Sequence, residues 1–350
     1  MNDKTRSSHG RADEASLVAA AAAGDEAAFT ALTEPFRRQL QVHCYRMLGS
    51  LEDAEDVVQE TFVRAWHNRA EFHGDSLYRT WLYRIATNAS LDALRLRKRR
   101  VLPYDLVPAG DPRAPLADAI DAPWLQPYPD RLLEPSAPVS GEPEATTVEK
   151  ETIELAFIAA IQLLPPRQRA VLISRDVLGW SAAESAALLG TTVASVNSAL
   201  QRPRATMKQH LPRHRLDWAP SDTSREEREL LQRYVEAADA GDPAALIAVL
   251  WEDAFCAMPP SPQWWLGREN IVGAWVEGGF GDDSWGRLRC VVTDGANRQP
   301  AIACYVKRAG DTEYRPLVLD VLRIKDHAVK EIAVFPLEPL LEALGLPQTL

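Results

Sequence analysis

Apolar positions recur at helical spacing through the first hundred residues. Phe29, Leu32, Phe36, Leu40 and Met47 follow one another at three, four or seven positions, and Val58, Phe62, Ala65 and Trp66 repeat the pattern. Such stripes let helices bury one side each, so the segment predicts a helical bundle. The pattern stops at residues 103–143, an acidic stretch that holds 10 of the 25 prolines and predicts a long linker. Helical spacing returns at Ile153, Phe157 and Ile161, and Pro165-Pro166 open a further helix at the turn that tolerates proline. Ser181-Ala-Ala-Glu184 forms a capping box, Gly190 ends that helix, and Thr191 or Thr192 caps the next. Helix, short turn and helix in this order predict a DNA-binding helix-turn-helix.

Beyond residue 225 the period changes. Leu230, Tyr234, Ala237 and Ala238 predict one helix, Pro243 to Trp251 a second and Glu269 to Glu277 a third. Alternating segments at Arg287 to Thr293, Ala301 to Lys307, Tyr314 to Ile324 and Val329 to Phe335 predict a curved antiparallel sheet. The expected fold is therefore multidomain, with two all-α helical domains, the second bearing the helix-turn-helix, and a C-terminal α+β domain. The limits read from the sequence are a disordered N-terminus at 1–14, a helical domain at 15–102, a Pro-rich acidic linker at 103–147, a helix-turn-helix domain at 148–215 and the α+β domain at 225–340.

Charge sharpens the division. The chain of 350 residues carries a net charge of −10, which opposes DNA binding until it is apportioned. Residues 1–100 hold 15 basic and 14 acidic side chains, 101–150 hold 3 and 9, 151–218 hold 8 and 5, and 219–350 hold 13 and 21. The acid thus lies mostly outside the helical domains, which remain too weakly basic to bind DNA tightly without help. Four cysteines, Cys44, Cys256, Cys290 and Cys304, have no metal-ligand spacing, and ordinary thiols in a reducing compartment are expected, with neither zinc nor disulfide. No apolar run reaches the ~20 residues of a membrane span and Met1 to Glu14 is polar, so a cytoplasmic protein is expected.

Specific motifs give these elements a function. The run Asp53-Ala-Glu-Asp-Val-Val-Gln-Glu-Thr-Phe-Val-Arg-Ala-Trp66, then Phe72-His-Gly-Asp-Ser76, Arg79-Thr-Trp-Leu-Tyr-Arg-Ile-Ala-Thr-Asn88 and a basic tail at Arg95 to Arg100 resemble the core-binding and −10-binding domain of extracytoplasmic-function (ECF) sigma-70 factors. That resemblance extends from about Leu17 to Arg100, and Pro165 to Leu211 resembles the −35-binding domain of the same family. It implies an alternative sigma factor whose partners are core RNA polymerase, through the β′ clamp helices and β flap, and promoter DNA. Asp56, Gln59 and Glu60 become the polymerase-docking residues. Arg64, Phe72 and Asn88 become contacts to separated −10 DNA, where an aromatic face stacks on a base, an amide bonds its edge and arginine holds phosphate. Arg95, Arg97, Lys98, Arg99 and Arg100 are phosphate contacts by the same reading.

In the second domain Ser195, Asn197, Ser198, Arg202 and Arg204 are the −35 DNA candidates. Ala199 replaces a commonly basic residue and Pro203 a usual alanine, and a proline there is expected to kink or end the helix at a cost of ~3 kcal/mol. Within the linker, Ala122-Pro-Trp-Leu-Gln-Pro-Tyr-Pro-Asp130 is too aromatic for a plain spacer and reads either as a loop over a neighbouring domain or as a docking motif for the C-terminal domain or polymerase.

Tyr234, Ala240-Gly-Asp-Pro-Ala-Ala-Leu246 and Trp251-Glu-Asp-Ala254 resemble the start of the SnoaL-like polyketide-cyclase and ketosteroid-isomerase cone. The resemblance implies a candidate ligand pocket at Tyr234, Trp251, Met258, Trp264 and Trp275. The position of the isomerase's carboxylate base is Met258, whose thioether cannot abstract a proton, so no enzyme and no cofactor are expected. The domain is expected to modulate transcription, with an anti-sigma factor or small ligand as a further partner. The rival readings are a stand-alone helix-turn-helix regulator and an isomerase-type enzyme with a DNA-binding appendage.

Overall fold

The computed structural model describes residues 14–72, 77–96, 98–115, 117–133, 153–210, 225–282 and 284–350. Its contacts divide the chain into two compact units, one of residues 1–99, 133–149 and 160–211, the other of 100–132, 150–159 and 212–350. These units do not follow the domain limits read from the sequence, since most of the linker groups with the C-terminal domain. The N-terminus expected to be disordered lies, apart from Glu14, outside the described residues.

The first unit opens with α1 (14–22) and α2 (Glu26–Thr33), the latter capped by Asp25, whose Oδ1 accepts from the Ala27 and Ala28 amides at 2.9 and 3.0 Å. Helix α3 (Arg37–Leu48) stops at Gly49, where φ is 71° and glycine avoids the left-handed penalty. Ser50 caps α4 (Leu51–His67), and α5 (Tyr78–Leu96) completes the bundle. Leu40, Met47, Val58 and Ala65 are buried along the predicted stripes, and Leu82 of α5 is buried with them. His43 is buried with them, its Nε2 paired with Thr87 Oγ1 at 2.9 Å, and desolvation by burial lowers its pKa to about 3.

The helix-turn-helix belongs to the same unit. After α6 (Leu155–Gln162), helix α7 (Pro166–Leu172) passes into a π turn at Ile173–Val177. Helix α8 (Ala182–Leu189) has the expected box, with the Glu184 amide donating to Ser181 Oγ at 3.1 Å and the Ser181 amide to Glu184 Oε2 at 2.7 Å. Gly190 ends it at φ 58°, and Thr192 Oγ1 accepts from the Ser195 amide at the start of α9 (Val193–His210). The helix does not end at Pro203. Val196, Leu200, Pro203 and Met207 form one buried stripe, so the proline ring joins the packed face of a helix that continues through it.

Both helical groups interlock inside this unit. The Tyr83 ring of α5 lies 5.4 Å from that of Trp180, before α8. Buried Arg169 of α7 donates to the Met47 carbonyl of α3, to Gln162 Oε1 at 2.5 Å, and to the Gln162 and Leu164 carbonyls at 3.0 and 3.2 Å. The C-terminal ends of α3 and α6 thus share one guanidinium fork.

The second unit carries α10 (Arg225–Ala240), α11 (Pro243–Val249) and α12 (Arg268–Glu277) with a six-stranded sheet. The strands are β1 (Leu250–Ala257), β2 (Trp264–Leu266), β3 (Arg287–Val292), β4 (Ala301–Lys307), β5 (Arg315–Lys325) and β6 (Ala328–Pro336), in the order β2-β1-β6-β5-β4-β3. The α+β class is as expected, but the sheet is mixed and not wholly antiparallel, because β1 pairs parallel with β6. Strand β1 escapes the alternation rule since Glu252 and Asp253 interrupt its apolar positions, and its register shifts between Leu250 and Phe255. A short α13 (Leu341–Leu344) closes the chain.

A second correction concerns the cysteines. Cys290 and Cys304 face each other across β3 and β4 with Cα atoms 4.1 Å apart and form a disulfide, while Cys44 and Cys256 are buried thiols. Direct opposition in an antiparallel pair brings the side chains together, and no spacing rule in the sequence reports that register.

Residues 101–131 form a strap along this unit. Val101 and Trp124 bridge in parallel, Gly110 donates to the Trp264 carbonyl at 2.8 Å, and the Trp264 indole donates to the Val107 carbonyl at 2.8 Å. The Ile120 amide reaches the Pro260 carbonyl. Asn297 pins the far end, accepting from the Tyr128 amide on Oδ1 and donating its own amide to the Tyr128 carbonyl, both at 2.8 Å. Leu125 and Tyr128 are buried, and Arg131 donates to the Glu342 and Ala343 carbonyls of α13 at 2.8 and 2.5 Å.

Candidate functional site

On α4, Val57, Val58, Thr61 and Ala65 are buried, and helical geometry therefore turns Asp56, Gln59 and Glu60 outward together. All three are exposed, and Val63, one turn further on, is 49% exposed. The result is a polar, partly acidic surface with an apolar residue at its end, suited to an interface whose partner supplies donors.

Arg64 lies beside this face. Its Nε donates to Glu60 Oε1 at 2.7 Å and its Nη1 to Asp92 Oδ2 at 3.0 Å, and these two carboxylates raise its pKa further. Asp92 also accepts from Arg95 Nη1 at 2.7 Å. Asn88, one turn before Asp92 on α5, is exposed. Phe72 is half-buried, its ring 5.1 Å from that of Tyr78 and 5.4 Å from that of Trp81, so the aromatic assigned to base stacking also packs against the bundle. Helix α5 ends at Leu96, and Lys98 and Arg99 beyond it are exposed. Arg100 starts the strap and donates to the Trp124 carbonyl at 3.2 Å; Arg97 lies outside the described residues.

On α9, Ser195, Asn197, Ser198, Arg202 and Arg204 are all exposed, opposite the buried stripe. Arg204 turns toward the π segment, where its Nε and Nη2 donate to the two Asp176 oxygens at 2.9 and 2.7 Å. That fork raises the Arg204 pKa, while Asn197, Ser198 and Arg202 stay exposed along the helix.

In the second unit, Tyr234 is buried and its hydroxyl donates to Asp320 Oδ2 at 2.9 Å. Burial pushes the Asp320 pKa up to about 7, partly offset by the tyrosine hydroxyl, and burial likewise drives Tyr234 and Cys256 well above their usual values. Trp251, Met258 and Trp275 pack on the same core half-buried, while Trp264 holds the strap. A cavity of about 290 Å³ instead lies at the end of α10, lined by Asp239, Gly241, Phe280 and Trp285 among others. None of the five predicted pocket residues lines it.

Sequence reasoning missed Asp92, Arg169, Asn297 and Asp320. For Asp92 a signal existed, since it stands three residues before Arg95 on a predicted helix. The others act across long sequence separations.

The family models Sigma-70 region 2 and Sigma-70, region 4 match residues 32–100 and 154–207. The ECF RNA polymerase sigma factor SigG of Mycobacterium tuberculosis is 42% identical over 323 residues, covering 92% of this chain and 85% of SigG. The chain belongs to the ECF sigma factor family. SigW of Bacillus subtilis is 32% identical over 189 residues, covering 54% of this chain and 91% of SigW. The fold of the sigma factor is also that of the crystal structure of the ECF sigma factor SigJ from Mycobacterium tuberculosis, with a TM-score of 0.51, 20% identity, and coverage of 91% of this chain and 98% of SigJ. The chain is accordingly an alternative sigma factor that binds core RNA polymerase and directs transcription initiation. Its full-length relatives are sigma factors and not enzymes. Among the described residues no helix is long and apolar enough to cross a membrane.

Proposed function

We propose that this sigma factor works in the cytoplasm as a two-part device: residues 15–102 and 148–215 engage polymerase and promoter, and residues 225–340 modulate output by holding the chain that connects them. In this reading Asp56, Gln59 and Glu60 meet the β′ clamp helices. Arg64, Phe72, Asn88 and the basic residues from Arg95 to Arg100 meet the −10 element, and Ser195, Asn197, Ser198, Arg202 and Arg204 meet the −35 element, where the second domain also approaches the β flap. Exposure of the assigned α4, Asn88 and α9 residues supports the assignments.

The observation that carries the modulating role is the strap. A connection between two promoter-binding domains needs freedom to span the distance between promoter elements, yet Tyr128 and Asn297 exchange two hydrogen bonds that tie it to the C-terminal domain. Removal of residues 225–350 deletes the anchor and should raise transcription in vitro at matched protein level without preventing polymerase binding. Equal output from both forms would leave the domain without this role. Within the helical part, Asn88→Ala and Phe72→Ala should impair promoter opening with core binding intact, whereas Gln59→Ala with Glu60→Ala should do the reverse. Loss of polymerase affinity in the first pair would make those residues structural.

A further inference from the structure

We propose that Asp92 is a positioning residue that stands in for a DNA phosphate in the free sigma factor, holding Arg64 and Arg95 together until promoter DNA displaces it. The inference rests on the reading of those two arginines as −10 contacts. Its geometry is a single carboxylate serving two guanidinium groups from two helices: Oδ2 accepts from Arg64 Nη1 at 3.0 Å, and Oδ1 accepts from Arg95 Nη1 at 2.7 Å. A phosphate with two anionic oxygens makes the same pair of charge-assisted bonds. All three side chains remain open to a ligand, with 36% of Arg64, 44% of Asp92 and 70% of Arg95 exposed. Asp92 also lies one helical turn from exposed Asn88, the residue assigned to the separated strand.

Beyond its i,i+3 pair with Arg95, helix stability gives no reason for an acid here. Asp92 lies near the C-terminal end of α5, which ends at Leu96, and there the helix dipole favours cations over carboxylates. The clamp is also weak by construction, because partly exposed ion pairs give way to a competing anion with little penalty. It is tied to the polymerase face as well, since Glu60 holds Arg64 Nε at 2.7 Å. When Glu60 turns to a polymerase donor, Arg64 loses one of its two carboxylates and becomes easier for phosphate to capture. Masked arginines in the free factor and available ones in the holoenzyme follow from one network, in a segment of 15 basic and 14 acidic side chains that has little charge to spare.

The test uses the full chain, labelled duplex of random sequence and labelled single strand, with anisotropy read across a salt series. Asp92→Asn should tighten binding by the free protein about three- to tenfold at low salt and steepen the salt dependence by about 0.9 for each additional phosphate neutralised. Asp92→Ser should do the same, and Arg64→Gln with Arg95→Gln should abolish the tighter binding in either background. Unchanged or weaker binding by both Asp92 variants overturns the clamp. If Arg64→Gln with Arg95→Gln leaves holoenzyme affinity for promoter DNA and its salt slope unaltered, the assignment of those arginines fails instead. If that pair weakens the holoenzyme while the Asp92 variants change nothing, the assignment stands and the clamp alone falls.

Discussion

Asp320→Asn should remove most of the pH dependence of C-terminal domain stability near neutrality. The Asp320 carboxyl is buried on β5 and hydrogen-bonded by Tyr234 at 2.9 Å, and burial raises its pKa from 3.8 to about 7. In the unfolded chain the same group returns to the ordinary value, so between those limits the folded state binds more protons. Its stabilising protonation is therefore fully effective below 3.8, declines as pH rises, and is lost above about 7. At 1.36 kcal/mol for each tenfold difference in proton affinity, the gap amounts to roughly 4 kcal/mol. Cys256 faces the same carboxylate but stays a neutral thiol, because its own pKa is driven far upward. Asparagine cannot ionise, although its extra amide donor costs about 1–3 kcal/mol if it finds no acceptor. The variant should thus be the less stable form near pH 5.5 and gain on wild type by about 2 kcal/mol between pH 5.5 and 8.5, the part of the full span that falls in that window. Hydrogen exchange of the β5 amides, measured by mass spectrometry on the full chain, reads this opening free energy locally. Asp130, whose pKa burial raises to about 6, leaves a residual slope below that pH in both proteins. A constant difference between the two proteins from about pH 6.5 to 8.5 would refute the assignment of a titrating, buried Asp320.

Arg169→Met should destabilise the helical unit by about 3 kcal/mol, since it strands the Met47, Gln162 and Leu164 carbonyls, and Arg169→Lys should not restore it because one ammonium cannot reproduce the fork; urea denaturation of the full chain checks both. Under denaturing, non-reducing conditions two of the four cysteines should react with a thiol reagent, and reduction of the Cys290–Cys304 bond should cost about 3 kcal/mol through its 14-residue separation; four reactive thiols would exclude the pairing. Gly286→Ala should cost about 1–3 kcal/mol, because φ is 128° there and a Cβ would lie 2.9 Å from the Lys307 carbonyl oxygen; an unchanged melting temperature would contradict that backbone geometry.

The features legible in the sequence were those fixed within a turn or two of chain. Ser181, Glu184, Gly190 and Thr192 act on neighbouring backbone, so their types and spacing specify the helix-turn-helix directly. The outward face of α4 followed from period alone, because burying Val57, Val58 and Ala65 fixes where Asp56, Gln59 and Glu60 point. That the helix does not end at Pro203 has a related reason: a rule about backbone hydrogen bonds ignores that position 203 falls on the same buried stripe as Val196, Leu200 and Met207. Contacts set by strand register or long-range docking were not legible. The Cys290–Cys304 pair exists because of the β3–β4 alignment, and Tyr128 meets Asn297 across 169 positions.

The strap shows why a proline-rich acidic segment need not be a free tether. Proline cannot donate to a ladder, and in this stretch the donors that remain are spent singly: Gly110, Ala117, Ile120, Tyr128 and Asp130 each give one amide to the C-terminal domain. Gly110 uses the Trp264 carbonyl on β2, covering an edge strand that would otherwise offer its backbone to another chain. Each such bond is worth about 1 kcal/mol net, while ordering a residue costs about 1–2 kcal/mol, so the amide bonds alone cannot hold some thirty residues. Two other contributions must close the gap: the prolines, which lower the freedom to be lost, and the burial of Val101, Leu102, Leu125 and Tyr128. The middle of the strap is then near balance, with its hold concentrated at its two buried ends. A regulator acting at Leu125, Tyr128 or Asn297 would release one of the two buried ends, whereas one acting near Gly110 would free only the less firmly held middle.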